Sequence, residues 1–152
     1  MEDYQTKYLF PGELFFDIKP YKITTILGSC VSVTLFNKKR KIGGINHFLL
    51  AESNLSDDVN DNKYGNCAMK NLIEIMFRID HIPLNYEAKI FGGGKVIDSI
   101  IDFKIGINNI FAARKILKEY GITVTSECVD NNYGIKVIFF NFNNNVVISA
   151  IK

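Results

Sequence analysis

Cysteine is scarce in this sequence, and the arrangement of the few cysteines present excludes most of what they could build. There are three in 152 residues, at Cys30, Cys67 and Cys128. An odd number without any Cys-x-x-Cys pair supports neither a disulfide framework nor a zinc site. A reducing compartment therefore fits the chain, and no metal is predicted.

Long apolar runs and an excess of charge are also missing. No run approaches the roughly 20 residues that a membrane-spanning helix needs, and the acidic start Met1–Tyr4 lacks the basic and apolar regions of a secretion signal. We therefore expect a cytoplasmic protein without membrane insertion. The net charge of +2 is too small to predict a nucleic-acid partner, and the basic cluster Lys38–Lys41 is interpreted as a solvated turn.

The chain shows no repeat, low-complexity segment or linker, so we predict a single domain, 1–152, with one core. Val31, Val33 and Leu35 alternate with polar residues, as in a strand with unlike faces. Further strands are predicted at 42–50, 88–91, 122–129, 135–141 and 146–151, and the polar residues 52–63 are interpreted as a surface loop.

Two helices are predicted from apolar residues at helical spacing. The first runs from about Asn66 to Ile79. The second is capped by Asn108 or Asn109 and is followed by Gly121. The order of strands, helix, strand, helix and strands favours an α+β fold with layered mixed or antiparallel sheets over a strictly parallel one.

A cysteine and a histidine occupy the most informative positions. Cys30 follows a bend at Gly28-Ser29, and His47, one of only two histidines, lies on the next predicted strand. Neighbouring strands would bring both side chains to one end of a sheet, where a thiolate–imidazolium pair makes a nucleophile. The bend can present backbone N–H groups to an oxyanion. A cysteine among valines is more often a core residue, and a lone histidine on a strand is more often structural. The hypothesis of a catalytic site therefore depends on Cys30 and His47 together.

The remaining candidates are weaker. Cys67, in a first helical turn, and Cys128, in a late strand, are interpreted as structural. Thr24 and Thr25 favour a strand, and either hydroxyl can orient the imidazole as the third member of a triad. The run Gly92–Gly94 lacks the spacing of a phosphate-binding loop and is interpreted as room for a substrate backbone or for a tight turn.

Several motifs, taken in order, resemble the chemoreceptor glutamine deamidases of the CheD family. They are Leu27–Val33, Ile42–Leu50, Tyr64-Gly65, Lys89–Gly93 and Ile105–Asn109. Each motif is weak alone, but the ordered set extends through most of the chain and is specific.

The resemblance implies a cysteine-dependent glutaminase that converts glutamine side chains of bacterial chemoreceptors to glutamate in chemotactic adaptation. It implies layered mixed sheets with helices outside, and no metal or organic cofactor. The triad would lie at the matching positions Cys30, His47 and Thr24. The expected oxyanion and substrate-binding residues are Gly28, Ser29, Gly92 and Gly93.

The resemblance leaves an alternative open. Members of the family bind a CheC-type phosphatase, so the chain can instead be a regulatory partner with weak or no deamidase activity. A cysteine hydrolase with another protein substrate is a third possibility, which no feature of the sequence favours. The chain departs from the family pattern at Asp130–Lys136, where asparagines replace a glycine pair and Ile135 an arginine, and at Asn109, also in place of an arginine. We expect these departures to affect substrate docking or partner binding, and with it the catalytic strength.

Overall fold

The computed structural model describes residues 3–53, 60–97 and 99–152 of the chain. Within these ranges the elements are β1 Gln5–Tyr8, β2 Leu14–Asp17, β3 Tyr21–Leu27, β4 Val31–Asn37, β5 Ile42–Asn46, α1 Gly65–Phe77, β6 Tyr86–Gly92, α2 Ile100–Glu119, β7 Thr123–Val129, β8 Gly134–Phe140 and β9 Val146–Ile151. The predicted order of elements and the α+β class are confirmed.

The described strands form two mixed sheets. One has four strands in the order β1-β3-β8-β9, and the other has five in the order β2-β5-β4-β6-β7. Each sheet contains one parallel pair, β1 with β3 and β6 with β7. The remaining pairs are antiparallel.

The molecule has three layers, because the sheets pack face to face and both helices cover the other face of the five-stranded sheet. Buried side chains on the helix side include Val33, Leu72, Ile90 and Leu117. Two smaller apolar clusters, one containing Phe139 and the other Phe91, lie between the sheets. The five-stranded sheet is therefore enclosed on both faces, so polar side chains on either face are buried.

Strand β4 runs through the middle of this arrangement, and all seven of its residues are buried. Val31, Val33 and Leu35 face the helices. Ser32 and Thr34, at the alternate positions, face the four-stranded sheet. The hydroxyl oxygens of these two residues have no hydrogen-bond partner among the described residues. The polar residues of this alternating strand therefore lie in the interior layer between the two sheets and not on a face in contact with solvent.

Helix α2 begins well before its predicted start. Ser99 caps it by accepting a hydrogen bond from the N–H of Asp102 at 3.1 Å. The prediction of a cap at Asn108 or Asn109 is wrong, since both lie inside the helix. Several apolar side chains of its first turns are exposed, so this part of the helix lacks the buried apolar stripe on which the prediction relied.

The other boundaries lie closer to expectation. Helix α1 starts and ends within two residues of the prediction, and Gly121 has the expected left-handed backbone, with a φ of 74°. Strand β5 ends at Asn46, before the predicted residue 50. Residues 54–59 of the predicted surface loop lie outside the described residues. In the described ranges no helix is both long and apolar enough to cross a membrane.

Candidate active site

Cys30 and His47 lie at one end of the five-stranded sheet, on the face toward the four-stranded sheet. The backbone pairs that set the register between β4 and the segment of His47 are Val31 with Phe48 and Thr34 with Ile45. This register places His47 opposite Ser32, two residues along the strand from Cys30. Such diagonal neighbours lie about 7–8 Å apart. The register thus places the two predicted residues on the same face as diagonal neighbours, and no hydrogen bond joins the Cys30 thiol to Nε2 of His47.

The imidazole of His47 is buried and is held from its Nδ1 side. Thr25, on β3, places its hydroxyl oxygen 2.7 Å from Nδ1. The same hydroxyl donates to the carbonyl of Leu9 at 2.8 Å. Because a hydroxyl has one hydrogen, Thr25 can only accept from the ring, and Nδ1 must carry the proton. The unprotonated nitrogen is then Nε2, which has no hydrogen-bond partner within the described part of the chain.

The threonine at the imidazole is Thr25 and not Thr24, the position that the resemblance implies. Neighbouring residues of a strand point to opposite faces. Thr25 is fully buried between the two sheets. Thr24 is only partly buried, and its side chain points to the outer face of the four-stranded sheet.

The carbonyl groups of the bend before β4 are all bound by neighbouring groups. The carbonyl of Gly28 accepts from the N–H of Gly94, and the carbonyl of Cys30 accepts from the N–H of Gly93, both at 2.8 Å. The carbonyl of Ser29 accepts from the side-chain amide of Asn109 at 3.0 Å. Among the described residues, no carbonyl accepts from the N–H of Ser29 or of Cys30. These N–H groups are donors of the kind that an oxyanion requires.

The glycines Gly92–Gly94 support this bend and are buried. Gly92 and Gly93 have positive φ angles of 97° and 65°. A side chain on Gly92 would overlap the carbonyl oxygen of Cys30, and one on Gly93 would overlap Ile110. Of the two interpretations offered for this run, the contacts of Gly92 and Gly93 agree with the tight turn, since both glycines pack behind the bend that carries Cys30.

We expect the substitution Gly92→Ala to lower the free energy of unfolding by about 3 kcal/mol or more, since it combines a steric overlap with a left-handed backbone. Gly121→Ala is the matched control. Its φ is also positive, but the nearest atom to an added Cβ is 3.6 Å away, so we expect a loss of only about 1 kcal/mol. Urea unfolding compares the two, and equal losses would show that the contact with Cys30 is not restrictive.

Burial sets the protonation of both candidate catalytic side chains. It lowers the pKa of His47 from 6.5 to about 4. It also raises the pKa of the Cys30 thiol above its ordinary value of 9.0; the Cys30 N–H opposes this shift and the carboxylate of Asp102 adds to it. Both shifts favour a thiol and a neutral imidazole at neutral pH over the expected thiolate–imidazolium pair.

Two polar residues of the site were not predicted. Asn109 is fully buried, and its side chain holds neighbouring backbone at the bend. The sequence signal for it was an asparagine inside an apolar helical stripe. Ser32, opposite His47, was taken as the polar half of a strand, and only the second sheet covering β4 reveals that its hydroxyl is buried.

The divergent segment Asp130–Lys136 supports the glycine run from the other side. The N–H of Asp130 donates to the carbonyl of Gly92 at 3.1 Å, and the N–H of Lys95 donates to the carbonyl of Asn131 at 2.8 Å. The left-handed residue here is Asp130, with a φ of 59°, and neither asparagine has a positive φ.

The other two cysteines differ in position. Cys128 packs against the same interior cluster as Cys30, which contains Leu27, Phe91, Ile135 and Val137. Cys67 lies in the first turn of α1 and is partly buried. Across residues 3–53, 60–97 and 99–152, no three His, Cys, Asp or Glu side chains are grouped as a metal site would require.

Comparison with known proteins connects this site to a family. Residues 49–150 match the family model described as CheD chemotactic sensory transduction. A probable chemoreceptor glutamine deamidase CheD of Methylobacillus flagellatus is 37% identical over 148 residues, covering 95% of this chain and 73% of the relative. A protein of the same name from Thiobacillus denitrificans is 34% identical over 154 residues, covering 99% and 76%.

The alignment with a third relative covers nearly the same share of each of the two proteins. The probable chemoreceptor glutamine deamidase CheD of Sulfurimonas denitrificans is 35% identical over 137 residues, which are 89% of this chain and 87% of that protein. The family model begins after His47, whereas the relatives match nearly the whole chain, including the bend. This chain, with its two mixed sheets and its buried histidine held by Thr25, belongs to the CheD family.

Proposed function

We propose that this protein hydrolyses glutamine side chains of chemoreceptors to glutamate, in the cytoplasm, with Cys30 as nucleophile and His47 as acid and base. The observation that carries the proposal is the state of His47. Its Nδ1 proton is held by Thr25, and its Nε2 lone pair is free on the sheet face that also carries Cys30. The names of the relatives, probable chemoreceptor glutamine deamidases, supply the substrate.

The first half of the reaction forms a thioester. The thiol proton of Cys30 moves to Nε2 of His47 as the sulfur bonds to the carboxamide carbon of the glutamine. The carbonyl oxygen becomes an oxyanion, which the N–H groups of Ser29 and Cys30 stabilise. The carbon–nitrogen bond then breaks, and the Nε2 proton leaves with ammonia.

The second half hydrolyses the thioester. Water gives a proton to Nε2 as its oxygen bonds to the acyl carbon. The carbon–sulfur bond breaks, the sulfur recovers a proton from Nε2, and the carboxylic acid is released and loses its remaining proton to the solvent as glutamate. Nδ1–H donates to Thr25 throughout, so the ring keeps its orientation in both charge states. No step needs a metal or an organic cofactor.

The neutral resting pair suits a protein substrate. A thiol with a raised pKa is a poor nucleophile toward small electrophiles in solution, and it becomes reactive when a bound carboxamide is in place. Apolar side chains are exposed near the bend and at the start of α2, and Val96 lies against Gly28. The exposed members are Val96, Ile97, Ile100 and Ile101. Such a surface fits contact with another protein.

Thr25→Val should lower the rate constant kcat of deamidation about 10- to 100-fold. The substitution leaves a buried Nδ1–H without an acceptor, which costs about 1–3 kcal/mol, and it frees the tautomer. Thr24→Val, on the opposite face of the same strand, is the control and should change kcat less than threefold. The comparison uses conversion rates measured by mass spectrometry. A larger loss in Thr24→Val would return the orienting role to Thr24.

The experiment that tests the proposed function uses a chemoreceptor cytoplasmic fragment as substrate. The fragment is incubated with the protein in water enriched in oxygen-18, and peptides are analysed by mass spectrometry. We expect specific glutamines to become glutamates with one heavy oxygen, at a rate well above that of the fragment alone. No conversion of any glutamine would contradict the proposal, and tight binding without conversion would favour the regulatory alternative.

A further inference from the structure

We infer that Asn109 is a positioning residue for the reaction, because it holds the Ser29–Cys30 peptide so that the Cys30 N–H points to the side of the thiol. This inference rests on the proposed function for its biological substrate. Its chemistry can be tested separately, because any acyl transfer to Cys30 needs the same N–H.

Asn109 connects α2 to both catalytic segments. Its side-chain amide donates to the carbonyl of Ser29 at 3.0 Å and to the carbonyl of Leu49 at 2.8 Å. Ser29 immediately precedes Cys30, and Leu49 is two residues beyond His47 and opposite Cys30 in the register. One buried amide group thus uses both of its hydrogens to join the two strand ends that carry the reacting side chains.

The direction of the Cys30 N–H follows from this contact. The carbonyl of Ser29 and the N–H of Cys30 belong to one planar trans peptide, so they point in opposite directions. With the carbonyl held toward α2, the N–H must point away from the helix layer. That is the side of the interior cluster between the two sheets, against which Cys30 packs.

The close approach of α2 makes the contact possible. Gly106, one turn before Asn109, lies so near the carbonyl of Gly93 that a side chain there would overlap it. Glycine and asparagine inside a helix are both unfavourable relative to alanine. Their presence one turn apart is explained by the tertiary contacts that they make with the glycine run and with the bend.

The test separates carbonyl chemistry from thiol reactivity. Acylation of Cys30 by p-nitrophenyl acetate forms a thioester through an oxyanion and releases p-nitrophenolate. Alkylation by iodoacetamide displaces iodide at a saturated carbon and forms no oxyanion. The rates of both reactions at Cys30 are measured by peptide mass spectrometry for the parent, Asn109→Asp and Asn109→Leu. Deamidation of the receptor fragment by the same variants gives kcat and KM.

We expect the ratio of acylation to alkylation to fall about 10- to 100-fold in both variants, with the larger fall in Asn109→Asp, whose carboxylate repels the Ser29 carbonyl. The kcat of deamidation should fall at least as much, with KM within about threefold of the parent. Met76→Ala is the control for lost stability, because it opens a cavity in the helix-side core. It should leave the ratio unchanged.

An unchanged ratio in Asn109→Leu and Asn109→Asp would overturn the inference, as would equal falls in acylation and alkylation, which indicate general damage to the site. If the parent does not convert receptor glutamines but the ratio falls in the variants, the inference stands while the proposed substrate is wrong.

Discussion

Cys30→Ala should reduce conversion of receptor glutamine to glutamate by at least about a thousandfold, to the level of the fragment alone. Removing the nucleophile of a covalent mechanism leaves only binding and oxyanion stabilisation, which cannot form the thioester. The matched control is Cys128→Ala, because Cys128 packs against the same interior cluster as Cys30. We expect this control to keep the parent rate within about threefold. Conversion is measured by mass spectrometry on purified proteins.

The thermal midpoints of both variants show whether a lost rate reflects lost folding. Both remove one partly buried sulfur from the same layer, so we expect similar, small decreases in stability. Equal conversion by Cys30→Ala and the parent would remove Cys30 from the mechanism. A loss of conversion in Cys128→Ala alone would point to the other cysteine of the cluster as the nucleophile.

His47→Gln should have two large effects. The first is a loss of deamidation of about a thousandfold or more, because no other described group is placed to take the Cys30 proton. The second is on the pH dependence of stability. The pKa of His47 is about 4 in the folded protein and 6.5 in the unfolded chain, so between these values the unfolded chain binds more protons.

The sign of this effect follows directly. His47 contributes stability that is fully present above pH 6.5 and is lost as the pH falls toward 4, by about 3 kcal/mol in total. Urea unfolding at several pH values from 7 to 4 measures this loss for the parent. In His47→Gln the decline over this range should be smaller by about that amount. Parallel declines in the two proteins would show that His47 is not kept neutral by burial.

Much of the architecture could be predicted from the sequence, because most of its elements carry their own signals. The apolar face of α1 and the glycine after α2 each follow from a local rule, and the helix and strand order then selects the fold class. The start of α2 could not be predicted in this way. Its first turns expose Ile100 and Ile101, so the burial pattern that reveals most helices is absent there.

The candidate site was predictable in its chemical groups but not in its contacts. Cys30 and His47 stand out by residue type and by their places beside a bend and on a strand. The choice between Thr24 and Thr25 depends on which face of β3 meets the other sheet, and that is settled by packing far from the bend. The contact between Asn109 and the bend forms only because α2 packs against the bend. No local sequence pattern predicts this packing.

The hydroxyl of Thr25 donates a hydrogen bond to the main-chain carbonyl of Leu9, and this contact affects how the site tolerates mutation. Every amino acid at position 9 carries the same carbonyl, so no single substitution there deletes the acceptor that sets the protonation pattern of His47. This hydrogen-bond acceptor of the candidate site is therefore fixed by the path of the backbone, and a residue-by-residue comparison of side chains does not reveal it.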